Sequence, residues 1–565
     1  MPHIRNLKTG AEAVLDYLSE AGVDCLFASP IAVMAPVWEA VAARGEGTRP
    51  RYFRCRHELL AVSLASGYFK ATGRVQVVFL PTSLGVQNGT MALRTALLER
   101  TPITVLSPDT LTYGENLETD PGPEWPSLLV DFGGPARDGE LATKWARQAR
   151  TPADVAHELR RALYLASSVP RGPTLLEIPF DLMLAPAPPI VHPPLTPARP
   201  VANREEIKTA ADVLLGAKTP LIITEYLGRT PEEREDLVRV AEALGAPVFE
   251  FMQPAFRTFP RNHPLYGAGK VEPVLGEADA ILVAGCNAPW HPPLQALNRE
   301  CKVIHLEEDP LRPRAPYYGY TTTHTLAGDR ALNLKALADV LSAQPSTTTA
   351  RVEQWRAYSE AVRTRGIEQA DAARKKDPDT LSAAELFRAL HRLLPENAIC
   401  VDEIIAPMPQ MMQFLYEEKP FEQFRGWMGA LGTSLGTALG IKLARPQSPV
   451  VCIVGDGAWH YNPVDAALGF AQEYGAPLLI VLCNNRQYAS QTWNILRYYP
   501  DGAAVRTDNF VGNKIDPLPD YVKTVEAYGG IGERIRKVEG LEPAIRKGLD
   551  TIGNGHTFLL DAVLP

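Results

Sequence analysis

The strongest constraint on this chain is an alternation that recurs three times along it. Short apolar runs rich in Val, Ile and Leu are followed by stretches with apolar residues at helical spacing, and then by another short run. In the first third the runs occupy residues 25–28, 52–55, 75–80 and 103–107, with helical patterns over 11–21, 58–71 and 85–98. The middle third repeats this with 220–224, 247–251, 280–284 and 302–306, and the last with 399–402, 450–454, 477–483 and 557–562. Such alternation predicts parallel sheets covered by helices, so the expected fold is α/β with three doubly wound parallel-sheet domains. A length of 565 residues lets each bury its own core.

Proline, with 50 residues, marks the boundaries. The cluster APAPPIVHPPLTPARP over 185–200 can form neither helix nor central strand and is predicted to be an extended linker. A second break, SAQPSTTT over 342–349, precedes a charged helical connector over 351–376. Domains are therefore expected at 1–185, 200–345 and 365–565. The net charge of −8 and the lack of a basic block argue against a nucleic-acid partner. Seven cysteines without a CxxC pair read as reduced, buried thiols of a cytoplasmic protein. Residues 1–10 have no apolar leader core, and no apolar run approaches the ~18 residues of a membrane span.

In doubly wound sheets ligands bind beyond the carboxyl ends of the strands. The run 450–454 ends in Gly455, Asp456 and Gly457, and after a helical stretch the run 477–483 ends in Asn484 and Asn485. A right-handed βαβ unit brings these two ends to one sheet edge, placing the Asp456 carboxylate and the Asn485 amide within reach of one cation. With the carbonyl of Gln487 they form an oxygen set that suits Mg²⁺ and leaves room for phosphate oxygens. Gly455 and Gly457 allow close backbone approach, and the amides of Gly457 and Ala458 can face an anion. A lone GDG is usually a turn; the pairing with Asn-Asn is what makes the signal specific.

The segment GDGAWHYNPVDAALGFAQEYGAPLLIVLCNN resembles the signature of thiamine diphosphate (ThDP) enzymes of the acetohydroxyacid synthase, 2-oxo-acid decarboxylase and benzoylformate decarboxylase group. The segment RCRHELLAVSLASGYFKATG over 54–73 resembles the family's R-H-E turn. That resemblance implies that Glu58 hydrogen-bonds N1′ of the cofactor pyrimidine and promotes loss of the C2 proton, a role calling for a buried carboxyl of raised pKa. His57 is expected to cap or pack. In GWMGALGTSLGTALGIKLA, over 426–444, no apolar strand precedes the glycines, so a dinucleotide site is disfavoured. The resemblance implies instead that the carbonyl of Gly429 accepts from the 4′-amino group and that Leu431 wedges the cofactor into a bent shape, while the rest is expected to be a Gly/Ala-rich helix packed on a sheet. The strand end at Ile404 and Ile405 is expected to offer backbone contacts to the diphosphate.

The resemblance also implies a pyrimidine-binding domain first, a central domain, and a diphosphate-binding domain last. VIHLEEDP and LAGD resemble the ligand edge of the central domain, but CNAPWHPP replaces the family's FAD signature, so FAD is not expected. The His that decarboxylases place after the first domain's third strand is missing from FLPTSLGVQNG, and Pro108 stands where synthases often have Gln. Candidate substrate residues are His460 and Tyr461, then Tyr488, Ser490, Gln491, Trp493 and Asn494. The implied activity is ThDP- and Mg²⁺-dependent C–C bond cleavage or formation on a 2-oxo acid or related small carbonyl compound, in a homodimer or homotetramer with sites between subunits. A non-catalytic member that keeps the fold is the alternative, and a NAD-linked enzyme a distant third.

Overall fold

The structure, a computed structural model, describes residues 8–45, 47–109, 111–112, 119–120, 124–128, 130–188, 193–251, 255–291, 297–314, 321–344, 348–416, 421–426 and 429–565. The reading of the chain start falls largely outside these residues, as do parts of the 185–200 linker and of the 342–349 break.

Three sheets form, and every strand pair in them is parallel. The first contains β1 (Cys25–Ala28), β2 (Arg51–Arg54), β3 (Gln76–Phe79), β4 (Ile103–Asp109), β5 (Trp145–Gln148) and β6 (Thr174–Pro179), in the order β2-β1-β3-β4-β6-β5. The second contains β7 (Pro220–Thr224), β8 (Val248–Glu250), β9 (Ala280–Ala284), β10 (Lys302–Glu307) and β11 (His324–Ala327), in the order β11-β10-β9-β7-β8. The third contains β12 (Ile399–Glu403), β13 (Glu422–Arg425), β14 (Val450–Gly455), β15 (Leu479–Asn484), β16 (Ile531–Ile535) and β17 (Phe558–Val563), in the order β13-β12-β14-β15-β17-β16. The first and third sheets thus share one topology, with β12 to β17 in the places of β1 to β6.

Most of the central strands are those that the apolar runs predicted, because a strand buried on both faces must be largely apolar; β6, buried throughout between β4 and β5, was not among them. The edge strands β5 (WARQ), β13 (EQFR) and β16 (IGERI) carry too few apolar residues to announce themselves. Strand β13 precedes the glycine-rich stretch, but it is not the apolar strand that a dinucleotide site would need. Its polar residues are buried by pairing: Gln423 donates to Asp402 at 3.0 Å, and Arg425 lies 2.5 Å from the same carboxylate. Burial raises the Asp402 pKa, and Arg425 opposes that rise.

All seven cysteines are buried, and none forms a disulfide. The charged connector is the 28-residue helix Thr349–Lys376, with Ser359 its one buried residue. Among the described residues no helix is long and apolar enough to cross a membrane.

Packing cuts across the sequence blocks. One compact unit comprises Met1–Ala198 with Gly429–Gln447 and His460–Leu478, and the other comprises the remainder. Within the first unit the helix Ser434–Ala444 packs on the helix Glu58–Thr72 rather than on a sheet, which corrects the expectation for this stretch. A Cβ on Gly440 would lie 2.1 Å from the Leu64 carbonyl oxygen, and one on Gly67 2.1 Å from that of Thr437. Backbone meets backbone, so no side-chain movement can make room. Gly440→Val is expected to destabilise this unit by about 3 kcal/mol, the upper end of overpacking costs, seen as a lowered melting temperature.

Candidate functional site

Each six-stranded sheet reverses its strand order between its first and third strands, and the crevice at that reversal is where a doubly wound sheet binds ligands. In the third sheet Ile404 follows β12 and Asp456 follows β14. Asp456 is 3% exposed, and its carboxylate is held by backbone amides. Gly457 N–H donates to Oδ1 at 2.9 Å, and Arg486 N–H, from the loop after β15, donates to Oδ2 at 2.5 Å. Burial pushes the Asp456 carboxyl up to about 6, against the opposing pull of the Gly457, Arg486 and Gln487 amides. The Asn485–Gln487 loop is thereby fastened to Asp456, as the βαβ argument required. Arg486 adopts φ +60°, a left-handed turn that costs a non-glycine residue conformational energy and is typical of constrained sites.

The Asn-Asn pair divides its labour. Asn484 is buried and donates to Asp561 at 2.8 Å, and Asp561 in turn pairs with Arg534 at 2.5 Å. Asn485 is half-buried, and its Oδ1 accepts from the Gln487 amide at 3.2 Å. No group of three or more His, Cys, Asp or Glu gathers among the described residues. A divalent cation at this edge would rely on the Asp456 carboxylate, the Asn485 amide oxygen and the Gln487 carbonyl, a hard-oxygen donor set that fits Mg²⁺.

The Gly457 amide donates to the Asp456 carboxylate at 2.9 Å. Gly457 is required by a side chain: a Cβ there would lie 2.8 Å from the ring of Tyr488. Ala458 is buried. Ile404 is buried and its carbonyl accepts from the Arg425 guanidinium, whereas Ile405 is exposed.

In the first unit, Glu58 opens the helix Glu58–Thr72, and His57 caps it by accepting the Leu59 amide on Nδ1 at 3.1 Å. Glu58 is half-buried rather than enclosed. Its Oε1 accepts from Ser29 Oγ at 2.8 Å, and its Oε2 accepts from Asn88 Nδ2. Ser29 follows β1 and Asn88 lies in the helix Thr82–Leu98 after β3, so the two elements flanking the first sheet's order reversal both hold Glu58. Thr82, at the start of that helix, has φ +43°. The turn carrying Glu58 is anchored by Phe53, which stacks on Phe27 and meets Tyr474 edge-on. Arg54 and Arg56 share Glu473 at 3.0 and 3.2 Å. None of these partners was legible in the sequence; Ser29 and Asn88 could have been found only by asking which polar residues follow β1 and β3.

Gly429 is exposed and Leu431 half-buried. Gly432 shapes this loop: it has φ +98°, and a Cβ there would meet the Tyr461 carbonyl oxygen at 2.2 Å. His460, Gln491 and Asn494 are exposed, while Tyr488 and Ser490 are half-buried. The helix Ala489–Tyr498 buries none of its residues, so the structure does not gather its Ser490, Gln491 and Asn494 into an enclosed pocket.

The middle sheet reverses its order between β7 and β9. There Glu225 and Tyr226 both donate their amides to the Gly285 carbonyl, at 3.1 and 2.9 Å, and Glu225 accepts from the Asn287 amide at 2.8 Å. Burial pushes Glu225 up to about 7. Tyr226 donates to Glu307 at 2.6 Å beneath the Arg330 guanidinium, 4.6 Å from its ring.

The chain matches three family models: "Thiamine pyrophosphate enzyme, N-terminal TPP binding domain" over residues 8–122, "central domain" over 207–337, and "C-terminal TPP binding domain" over 408–562. It is 26% identical to the acetolactate synthase isozyme 3 large subunit of Escherichia coli, across 98% of this chain and 95% of that one. It is 25% identical to the sulfoacetaldehyde acetyltransferase of Rhodobacter capsulatus, across 98% and 94%. The ThDP-dependent 4-hydroxybenzoylformate decarboxylase of Rhodococcus jostii shares the fold with a TM-score of 0.79 at 21% identity, covering 99% of both chains. The named relatives are enzymes, which overturns the alternative of a non-catalytic scaffold. The Asp456–Asn485 edge and the matches across all three sheets therefore lead to one conclusion: the chain belongs to the thiamine pyrophosphate enzyme family and is a ThDP-dependent enzyme.

Proposed function

We propose that this protein cleaves or forms a C–C bond next to the carbonyl of a 2-oxo acid or a related small carbonyl compound, using ThDP and Mg²⁺. The observation that carries the reading is the Asp456 carboxylate, buried at the third sheet's order reversal and tied to the Asn485–Gln487 loop. Asp456, Asn485 and the Gln487 carbonyl would hold Mg²⁺. The backbone at Ile404 and Ile405 and the short Gly457–Ala458 turn would lie along the diphosphate, the Gly429 carbonyl would accept from the aminopyrimidine, and Leu431 would press on the cofactor's bend.

Bound ThDP supplies a nucleophilic ring carbon and a cationic ring able to take up the electron pair of the broken bond. Glu58 holds and returns a proton at the pyrimidine N1′, with Ser29 and Asn88 fixing its two oxygens so that the carboxyl keeps one orientation. His460, Tyr488, Ser490, Gln491 and Asn494 would meet the substrate, and their hydroxyl, amide and ring groups suit one with polar substituents. The segment CNAPWHPP, standing where the family's FAD signature would be, supports a central domain without FAD. The reading includes domains at 1–185, 200–345 and 365–565, a cytoplasmic location, and a homodimer or homotetramer.

The test is product identification by NMR over a panel of 2-oxo acids, with ThDP and Mg²⁺, and with and without an acceptor aldehyde. A decarboxylase yields CO₂ and an aldehyde, and a carboligase a 2-hydroxy ketone. Absence of any C–C cleavage or ligation product across the panel would overturn the proposal.

A further inference from the structure

Strand β13 brings two long polar side chains, Gln423 and Arg425, into the interior of the second compact unit. Arg425 lies level with Asp402 of β12 in the parallel register, and the two form an ion pair at 2.5 Å. The other arm of the guanidinium donates to the carbonyl of Ile404, the first residue past the end of β12. Gln423 extends the bonding in the opposite direction. Its amide nitrogen donates to Asp402 at 3.0 Å, and its oxygen accepts at 3.0 Å from Arg261, which pairs at 2.8 Å with Glu250 of β8. A buried run of side chains thus ties the middle sheet to the β12 end of the third sheet. The Arg425 amide adds a backbone tie, donating to the Ala255 carbonyl at 3.0 Å.

Buried ion pairs contribute little net stability, because desolvation offsets their attraction. What this one supplies is direction. The guanidinium is a planar fork with one arm on a carboxylate and the other on a carbonyl, so it fixes the Ile404–Ile405 peptide group relative to the sheet. That peptide is trans, and a trans peptide points its N–H opposite its C=O. With the carbonyl drawn toward β13, the Ile405 N–H faces the β14 side of β12, the side on which the Ile399 N–H donates at 2.9 Å to the Pro449 carbonyl. The Ile405 N–H has no acceptor among the described residues, and Ile405 is 43% exposed. On that side lies the Asp456 turn after β14.

We propose that Arg425 is a positioning residue for the cofactor diphosphate: held by Asp402 and, through Gln423 and Arg261, by the middle sheet, it aims the Ile405 N–H at a diphosphate oxygen. This role rests on the ThDP reading above and adds to it the side chains that orient the β12 end. A donor set in place beforehand meets the anion without first giving up another bond or ordering a turn, and a hydrogen bond to a charged acceptor is the stronger kind.

Calorimetric titration of the full-length protein, freed of cofactor and supplied with Mg²⁺, tests this with two probes, ThDP and inorganic diphosphate. The double variant Asp402→Asn/Arg425→Met removes both charges together, leaves Gln423 an acceptor and strands no buried charge. Both probes are expected to bind it at least tenfold more weakly than they bind wild type, and by the same factor, because the lost contact is to the group they share. Arg425→Lys keeps the positive charge beside Asp402 but gives up the fork. It is expected to lose at least threefold for both probes, and it carries the test if the double variant does not fold. A purely structural role would lower the melting temperature and leave both affinities of the folded protein at wild-type values. That result, or weaker ThDP binding with unchanged diphosphate binding, would overturn the proposal. Wild-type protein that takes up neither probe would instead remove the ThDP reading, and this role with it.

Discussion

Replacing Glu58 by Gln is expected to lower kcat by about 10²- to 10⁴-fold, the range for losing a positioned acid–base group, while ThDP still binds. The substitution is nearly isosteric. The amide carbonyl can keep the 2.8 Å hydrogen bond from Ser29, so the turn capped by His57 and anchored by Phe53 should hold its shape. What disappears is the exchangeable proton. Measuring kcat together with ThDP affinity by fluorescence quenching separates the two effects. Activity within a fewfold of wild type would remove Glu58 from the mechanism, and loss of cofactor binding with loss of the fold would assign it a structural role instead. The half-buried setting sharpens this expectation. Half-buried, Glu58 owes its orientation to Ser29 and Asn88.

Replacing Asp456 by Ala is expected to weaken ThDP binding in Mg²⁺ by at least about 100-fold, equivalent to about 2.7 kcal/mol. Two losses combine. The cation loses its one carboxylate, and the amides of Gly457 and Arg486 lose the acceptor that positions them at 2.9 and 2.5 Å. The Asn485–Gln487 loop then has no fixed place on the β14 end, so the remaining oxygen donors are no longer pre-organised. Asp456→Asn separates the terms, because it keeps an amide-accepting oxygen and removes the charge. Calorimetric titration of ThDP at several Mg²⁺ concentrations reads both variants. Unchanged, Mg²⁺-dependent binding in Asp456→Ala would place the cation elsewhere.

Much of this molecule was legible in one dimension. A central parallel strand must be largely apolar, so runs such as 220–224 and 280–284 declare themselves, and the ends of adjacent strands then name Asp456 and Asn485 before any coordinate is known. The motif resemblance added Glu58. Edge strands escaped because their polar residues are satisfied by distant partners. Gln423 and Arg425 read as loop residues until Asp402 is seen beside them. The GDG glycines show the same limit, since Gly457 accommodates the Tyr488 ring, from a segment thirty-one positions away in the chain.

By itself the sequence determined the three-sheet α/β architecture and the edge at which Asp456 and Asn485 meet, because strand and helix periodicities are local and a βαβ unit has one hand. Tertiary structure alone decided which polar groups hold Glu58 and that the glycine-rich helix Ser434–Ala444 packs on the helix Glu58–Thr72. These outcomes depend on which groups far apart in the chain satisfy one another's hydrogen bonds and fill one another's space. No local pattern encodes that pairing.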